Sequence, residues 1–381
     1  MVLRFLTAGE SHGRGLVAIM EGMVAGLPLG QDDIQRDLAR RKKGFGRGAR
    51  MAIEKDPVEI LSGVRHGLTL GSPISLSIPN REWQAWQEVM GVEAPAKPVE
   101  PLTHPRPGHA DLPGYLKYGF KDIRPVLERA SARETASRVA LGAIARRFLG
   151  EFGISLRSHT RAVAGITAKK LSWRRVEASP LRCGDPEAEK AMLQAIEEAL
   201  AQGDTVGGVF EVVSSGVPVG LGSYVQWDRR LDAQIAGATM SIPSVKGVDI
   251  GLGFGGAGLR GSRFHDVILP GSLRRRTNRA GGIEGGVSNG EDIVVRAGLK
   301  PLPTLAHPLP SVDLQTGEEA PAHFERSDVC VVPAAGVVGE AVLALVLAQA
   351  FLEKFGGDSL EETRRNFNAY ISSLPGELGR A

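Results

Sequence analysis

With 381 residues, 42% of them apolar and 23% charged, the chain has enough material for a buried core in one large domain or two, and its balance is that of a soluble globular protein. A net charge of only +3 means that any basic patch is local, and an aromatic content of 5% argues against a stacking platform for single-stranded nucleic acid. Two cysteines, Cys183 and Cys330, make neither a disulfide framework nor a metal-ligand spacing, which fits a reducing cytosol. Arg4 comes early and no apolar core precedes Glu10, so the start does not read as a signal peptide.

Residues 2–8 and 15–25 predict two short strands around a glycine-rich turn. Residues 31–42 predict a helix, with Asp32 or Asp33 at its start and basic residues at its end, as the helix dipole prefers. Over 57–79, β-branched alternation with glycine turns predicts a hairpin. Residues 81–105, rich in proline and polar groups, predict a long loop. A helix is expected over 131–149. It opens on the S-x-x-E box of Ser131 and Glu134, and Val139, Leu141, Ile144, Phe148 and Leu149 give it an apolar side. Another is expected over 186–202, with Asp185 as cap, Pro186 first and Gly203 past its end. Strands are expected near 206–220, 247–252 and 291–297, and helices near 336–354 and 358–374. The apolar run Ala341–Leu352 is too short to span a bilayer and predicts a buried helix. No linker or repeat interrupts the chain. Strands and helices intermix with hairpin-like spacing, which predicts a single-domain α+β fold in layers rather than a doubly wound parallel sheet.

The stretch Arg106–Arg138 is the most informative. Arg129 and Arg133 flank a helix start, whose unpaired N–H groups and positive dipole end favour an anion. His109 comes after the Pro107-Gly108 turn and can move a proton near neutral pH. Gly9-Glu10-Ser11-His12-Gly13-Arg14-Gly15 sets a second histidine among glycines that let the backbone approach a ligand. The basic run Arg40–Arg50 is either a nucleic-acid patch or a mobile loop that closes over a multiply anionic small molecule. Gly251–Gly256 matches G-x-G-x-x-G, yet the adjoining segment Gly258–Gly271 lacks a helical pattern, so dinucleotide binding is discounted. Towards the C-terminus, Lys300-Pro301-Leu302-Pro303-Thr304 forms a rigid polar corner able to hold a phosphate, and Arg326-Ser327-Asp328 puts an acid beside a base. Together these segments suggest a ligand with several anionic groups.

Eight motifs in this order resemble the chorismate synthase family over essentially the whole chain: GESHG at 9–13, RRKKGFGR at 40–47, RPGHAD at 106–111, SARETASR at 131–138, SVKGVDIG at 244–251, AGGIEGGVSNG at 280–290, LKPLPT at 299–304 and RSDVC at 326–330. The resemblance implies a β-α-β-α sandwich assembled as a homotetramer in the cytoplasm, without nucleic-acid or membrane partners. It implies loss of phosphate and the C6 hydrogen from 5-enolpyruvylshikimate 3-phosphate, an anti 1,4-elimination giving chorismate, with reduced FMN and no net redox change. It also implies roles. His12 protonates the leaving phosphate, His109 stands near flavin N1, and Asp328 works with flavin N5 on the C6 hydrogen. Arg41, Arg47, Arg106, Arg133 and Arg326 hold the substrate or its neighbourhood. Arg129, Ala130, Ser131, Pro243, Ser244, Gly285 and Lys300, Pro301, Leu302, Pro303 and Thr304, together with Arg326, contact the flavin.

Two departures stand out. Where some members read G-G-G-R-S-S, this chain has Val126-Leu127-Glu128-Arg129-Ala130-Ser131, so a hydroxyl is missing at Ala130. Pro243 replaces a polar residue and removes its own N–H. Some members reduce their own flavin with NADPH. The expectation here is a separate flavin reductase.

Overall fold

The computed structural model describes residues 2–48, 56–325 and 327–379. Two antiparallel sheets enclose the helices. The first runs β1 (Arg4–Ala8), β2 (Gly15–Glu21), β4 (Ile74–Pro79), β3 (Glu59–Ser62) in space. The second has the order β8 (Val245–Ile250), β9 (Ile293–Leu299), β7 (Gly208–Ser215), β5 (Ser155–Val163), β6 (Ile166–Thr167). Period-two alternation decides which face is covered. Leu16, Ala18 and Met20 of β2 and Ile74, Leu76 and Ile78 of β4 are buried, while Val17 and Ile19 face outward.

The helices are α1 (Gln31–Lys42), α2 (Trp83–Met90), α3 (Asp111–Tyr118), α4 (Arg124–Arg129), α5 (Thr135–Gly150), α6 (Pro186–Ala201), α7 (Leu231–Met240), α8 (Val332–Phe355) and α9 (Leu360–Ser373). Helix α5 covers the inner face of the first sheet, α8 covers β5 and β7 of the second, and α5 and α8 pack on each other. The fold is α+β in layers, as expected. Its main blocks come in chain order as sheet, helices, sheet, helices, and in space both helix blocks lie between the sheets. The α5–α8 contact is close because Gly142 has no side chain: a Cβ there would sit 2.3 Å from that of Ala341. One continuous core joins both sheets and these helices.

Helix α8 spans 24 residues, longer than the apolar run suggested, and by length and composition could cross a membrane. Within the fold, 89% of its most apolar window is buried, so it is the core helix. The expected loop over 81–105 contains α2, eight residues without a side-chain cap, whose helical spacing of Trp83, Trp86 and Met90 is hidden in a proline-rich polar stretch. Helices α3 and α4 were also unexpected. Pro113 and Gly114 read as turn residues, but Pro113 lies in the first turn of α3, where its missing N–H costs no intrahelical bond. Pro125 does the same in α4. The strand β5 lies in a stretch for which no element was expected. The glycine run at 251–256 forms a 3-10 turn over Gly253–Gly256, and the next helix has only four residues. That is too short to serve as a nucleotide-binding helix.

Candidate active site

Where the C-terminal ends of α1 and α4 meet the start of α8, a cavity of about 480 Å³ opens. Six segments build its wall: the loop after α1, the 106–110 turn, the α4–α5 junction, the entry to β8, the 300–304 corner after β9, and residues 325–331. Arg41, Arg47, Arg106, Arg133, Lys246 and Lys300 line it, against two acids, Glu325 and Asp328. So a chain of low net charge concentrates six cations on one cavity.

Backbone strain and buried partners hold these cations. Asp56, buried and with φ of 41°, accepts a bond from Arg133 at 2.8 Å and lies 3.7 Å from Arg41. Arg41 also donates to the Thr135 hydroxyl and the Ala132 carbonyl, both at 2.9 Å. Its neighbour Arg40 points the other way, to the buried Glu340. Three cations of the basic run, Arg40, Arg41 and Arg47, are therefore folded inward in ion pairs, which removes them from any exposed nucleic-acid patch. Arg47 stands 3.3 Å from the Asp328 carboxylate, which also accepts the Gly48 N–H at 2.6 Å.

His109, Asp111, Arg106 and Thr304 form one cluster. The Nδ1–H of His109 donates to Asp111 at 2.6 Å, and Arg106 Nε donates to the other oxygen at 2.8 Å. Arg106 then reaches the Thr304 hydroxyl at 2.9 Å. Burial alone would raise the Asp111 carboxyl. Hydrogen bonds from His109 and Arg106 outweigh it and hold the group well below the usual carboxylate range. At the corner beyond, Lys300 donates to the Gly108 carbonyl, and burial together with the charge of Lys246 lowers its ammonium.

His12 sits just outside the lining residues. Gly9 makes this loop possible: its φ is 102°, and a Cβ there would lie 2.3 Å from the Gly15 carbonyl. The His12 ring stacks on Trp86 of α2 with centroids 3.9 Å apart, and its Nδ1 is 2.8 Å from the Glu128 carboxylate. His12 and Arg106 both pull on Glu325. Burial would raise that carboxyl, but a hydrogen bond from His323 and these two neighbours keep it low.

Of the residues expected from sequence, Arg41, Arg47, Arg106, His109, Ala130, Ser131, Arg133, Pro243, Ser244, Lys300, Leu302, Pro303, Thr304 and Asp328 line the cavity. Ser131 caps the helix start by accepting from the Arg133 N–H, and its hydroxyl meets that of Ser11 at 3.2 Å. The other half of the box does not form. Glu134 binds Arg138 and Thr7 instead, and a 3-10 turn over Ala132–Glu134 precedes α5. Arg129 turns away to the Thr7 and Gly9 carbonyls. Pro301 does not line the cavity. Gly285 lies in a hairpin beside the start of α7, where Leu231 donates to the Gly286 carbonyl. Arg326 lies outside the described residues. Asp56, Trp86, Asp111, Glu128, Lys246 and Glu325 had no role assigned from sequence. Only Asp111 carried a local signal, two residues after a histidine.

The sequence profile of the chorismate synthase family matches residues 3–352. The chain belongs to the chorismate synthase family. It is 57% identical to the chorismate synthase of Moorella thermoacetica, over 98% of this chain and 99% of the relative. It is 54% identical to that of Solibacter usitatus, again over 98% and 99%. A crystal structure of a chorismate synthase superposes with a TM-score of 0.79 at 42% identity, covering 98% of this chain and 99% of the other. The cavity described above is thus the candidate active site of a chorismate synthase fold.

Proposed function

We propose that this cavity carries out the lyase reaction of the family. Phosphate and the C6 hydrogen leave 5-enolpyruvylshikimate 3-phosphate in an anti 1,4-elimination that gives chorismate, the last step of the shikimate pathway towards aromatic amino acids. The observation that carries this reading is the cavity itself: six cations, one histidine and Asp328 around a space the size of a small metabolite. The substrate has two carboxylates and a phosphate, and guanidinium groups match such oxyanions in charge and in geometry.

Arg41, Arg47, Arg106 and Arg133 bind and orient the substrate, with Arg326 assigned on the resemblance alone. His12 gives a proton to the departing phosphate, which improves it as a leaving group. Asp328, placed by the Gly48 N–H and Arg47, accepts the proton that leaves C6. His109, with Nδ1 committed to Asp111, is held in one orientation beside the place of the cofactor.

The donor set fits reduced FMN. Burial and the nearby charge of Lys246 lower the Lys300 ammonium, and Ser244, Ser131 and Thr304 stand in the same wall, a natural cradle for a phosphate monoester. Ser244 is held at φ 70°, and its carbonyl accepts the Lys300 N–H at 2.9 Å, which joins the two sides of that cradle. Held by these residues, a reduced flavin would supply electron density to the C–O cleavage without net redox change. Arg129, Gly285 and Pro301 have weaker claims as flavin contacts, since none lines the cavity. A separate NADPH-dependent reductase as the source of reduced flavin is assigned on the resemblance alone. Free, buried cysteines support a cytoplasmic setting.

The test is anaerobic. Purified protein is mixed with chemically reduced FMN and the enolpyruvyl substrate, and phosphate release and chorismate absorbance are monitored. Both products should form without net flavin oxidation. No phosphate above a protein-free control would refute the reading.

A further inference from the structure

We propose that Glu128 is a positioning residue for His12, fixing which ring nitrogen faces the reaction. The inference rests on the reading of His12 as the proton donor and adds the group that aims it. Both Glu128 oxygens are spent on the same residue. Oε1 lies 2.8 Å from His12 Nδ1, and Oε2 accepts the His12 backbone N–H at 2.7 Å. The Ser11 N–H adds a third bond, to the Glu128 carbonyl at 3.2 Å. The Glu128 side chain has no exposed surface, so water does not compete for these bonds.

Two further contacts limit the imidazole. Trp86 stacks on it with planes 23° apart, which holds the ring plane and leaves the carboxylate bond to decide which edge faces the reaction. Arg124, one turn before Glu128 on α4, stands 3.5 Å from the same carboxylate and 5.4 Å from the Trp86 ring, closing the assembly from behind. With Nδ1 donating to Glu128, Nε2 is the nitrogen left for the departing phosphate. The pattern is that of a carboxylate orienting a catalytic imidazole, where the carboxylate holds tautomer and direction and transfers no proton itself.

The charged groups around His12 are Glu128 and Arg124 from α4 and Glu325 from the segment before α8. Removing the Glu128 charge leaves Arg124 and Glu325 in place and destabilises the imidazolium. The pH limb that reports protonated His12 therefore moves to lower pH in Glu128→Gln.

The experiment compares wild type, Glu128→Gln and Glu128→Asp by steady-state kinetics across pH, by ¹⁵N spectra of the histidines and by thermal unfolding. The expected result for Glu128→Gln is a kcat lower by roughly 10²-fold at little changed KM, as for loss of an oriented proton donor. His12 should also move from an Nδ1–H to an Nε2–H neutral form, and Glu128→Asp should recover part of the rate. A Glu128→Gln enzyme with the wild-type tautomer, pH limb and kcat would overturn the proposal, even if its unfolding temperature dropped. The tautomer shift is read without turnover. A protein that releases no phosphate at all would thus count against the functional reading while Glu128 is still judged by the spectra.

Discussion

His109 owes its geometry to a residue two places along the chain. The Asp111 carboxylate is shared between Nδ1 of His109 and the guanidinium of Arg106, so one buried acid sets both an imidazole and a guanidinium of the cavity wall. Asp111→Asn keeps the shape and removes the charge. We expect kcat to fall by about 10²-fold. We also expect a lower unfolding temperature, because Arg106 stays buried without its counter-charge. Steady-state kinetics and calorimetry on the same preparation check both, and an Asp111→Asn enzyme with wild-type kcat would remove the residue from the site. This scale also shows what a sequence can and cannot reveal. His109, Arg106 and Arg133 were legible because they cluster in one stretch around a helix start. Asp56 and Glu128 were not, because each meets its partner across the fold: Asp56 is 77 residues from Arg133, and Glu128 is 116 from His12. No local pattern encodes such a pairing.

At the level of elements, legibility tracked burial and capping. Helix α1 spans the expected 31–42, and α6 starts on Pro186 with the Asp185 side chain accepting from the Glu187 and Ala188 N–H groups. Helices α2, α3 and α4 escaped because they are short, lack side-chain caps and, in α3 and α4, carry proline or glycine where a turn is the ordinary reading. They carry residues that hold the two histidines: Trp86 on α2, Asp111 on α3 and Glu128 on α4. The first sheet raises a separate point. Its outer face exposes Val17 and Ile19, with Leu6 at 73% and Leu61 at 60% exposure, and β1 is an open edge. An apolar face of this kind suits burial against another subunit, which supports the homotetramer proposed from the family resemblance. Placing charge there, as Leu6→Glu with Ile19→Glu, should lower the mass seen by light scattering while circular dichroism stays unchanged. A double variant with the mass of the wild type would exclude this face from any assembly.

Across the whole molecule, one fully buried acid ties the layers together. Glu340 of α8 receives Arg40 of α1 at 2.7 and 2.8 Å, the Ser158 N–H and hydroxyl of β5 at 2.8 and 2.6 Å, and lies 3.1 Å from Arg146 of α5 and 3.3 Å from Arg182. The next residue of α1 after Arg40 is Arg41, in the wall of the cavity, so the network fixes the helix that presents this cation to the cavity. Burial by itself would raise the Glu340 carboxyl. The charge of Arg146 and the bond and charge of Arg40 outweigh it, and the group is lowered. A carboxyl depressed on folding contributes stability that is present above its ordinary pKa of about 4.3 and lost as pH falls through the depressed value. Glu340→Gln should therefore cost about 3–5 kcal/mol near pH 7, where it strands buried guanidinium groups. The difference from wild type should narrow in acid, because the carboxyl of the unfolded chain takes up a proton at a higher pH than the depressed native one. Urea unfolding of both proteins between pH 7 and pH 3 measures the gap. A gap that stayed constant with pH would mean that Glu340 acts through packing alone, and that the charge network does not hold α1 in place.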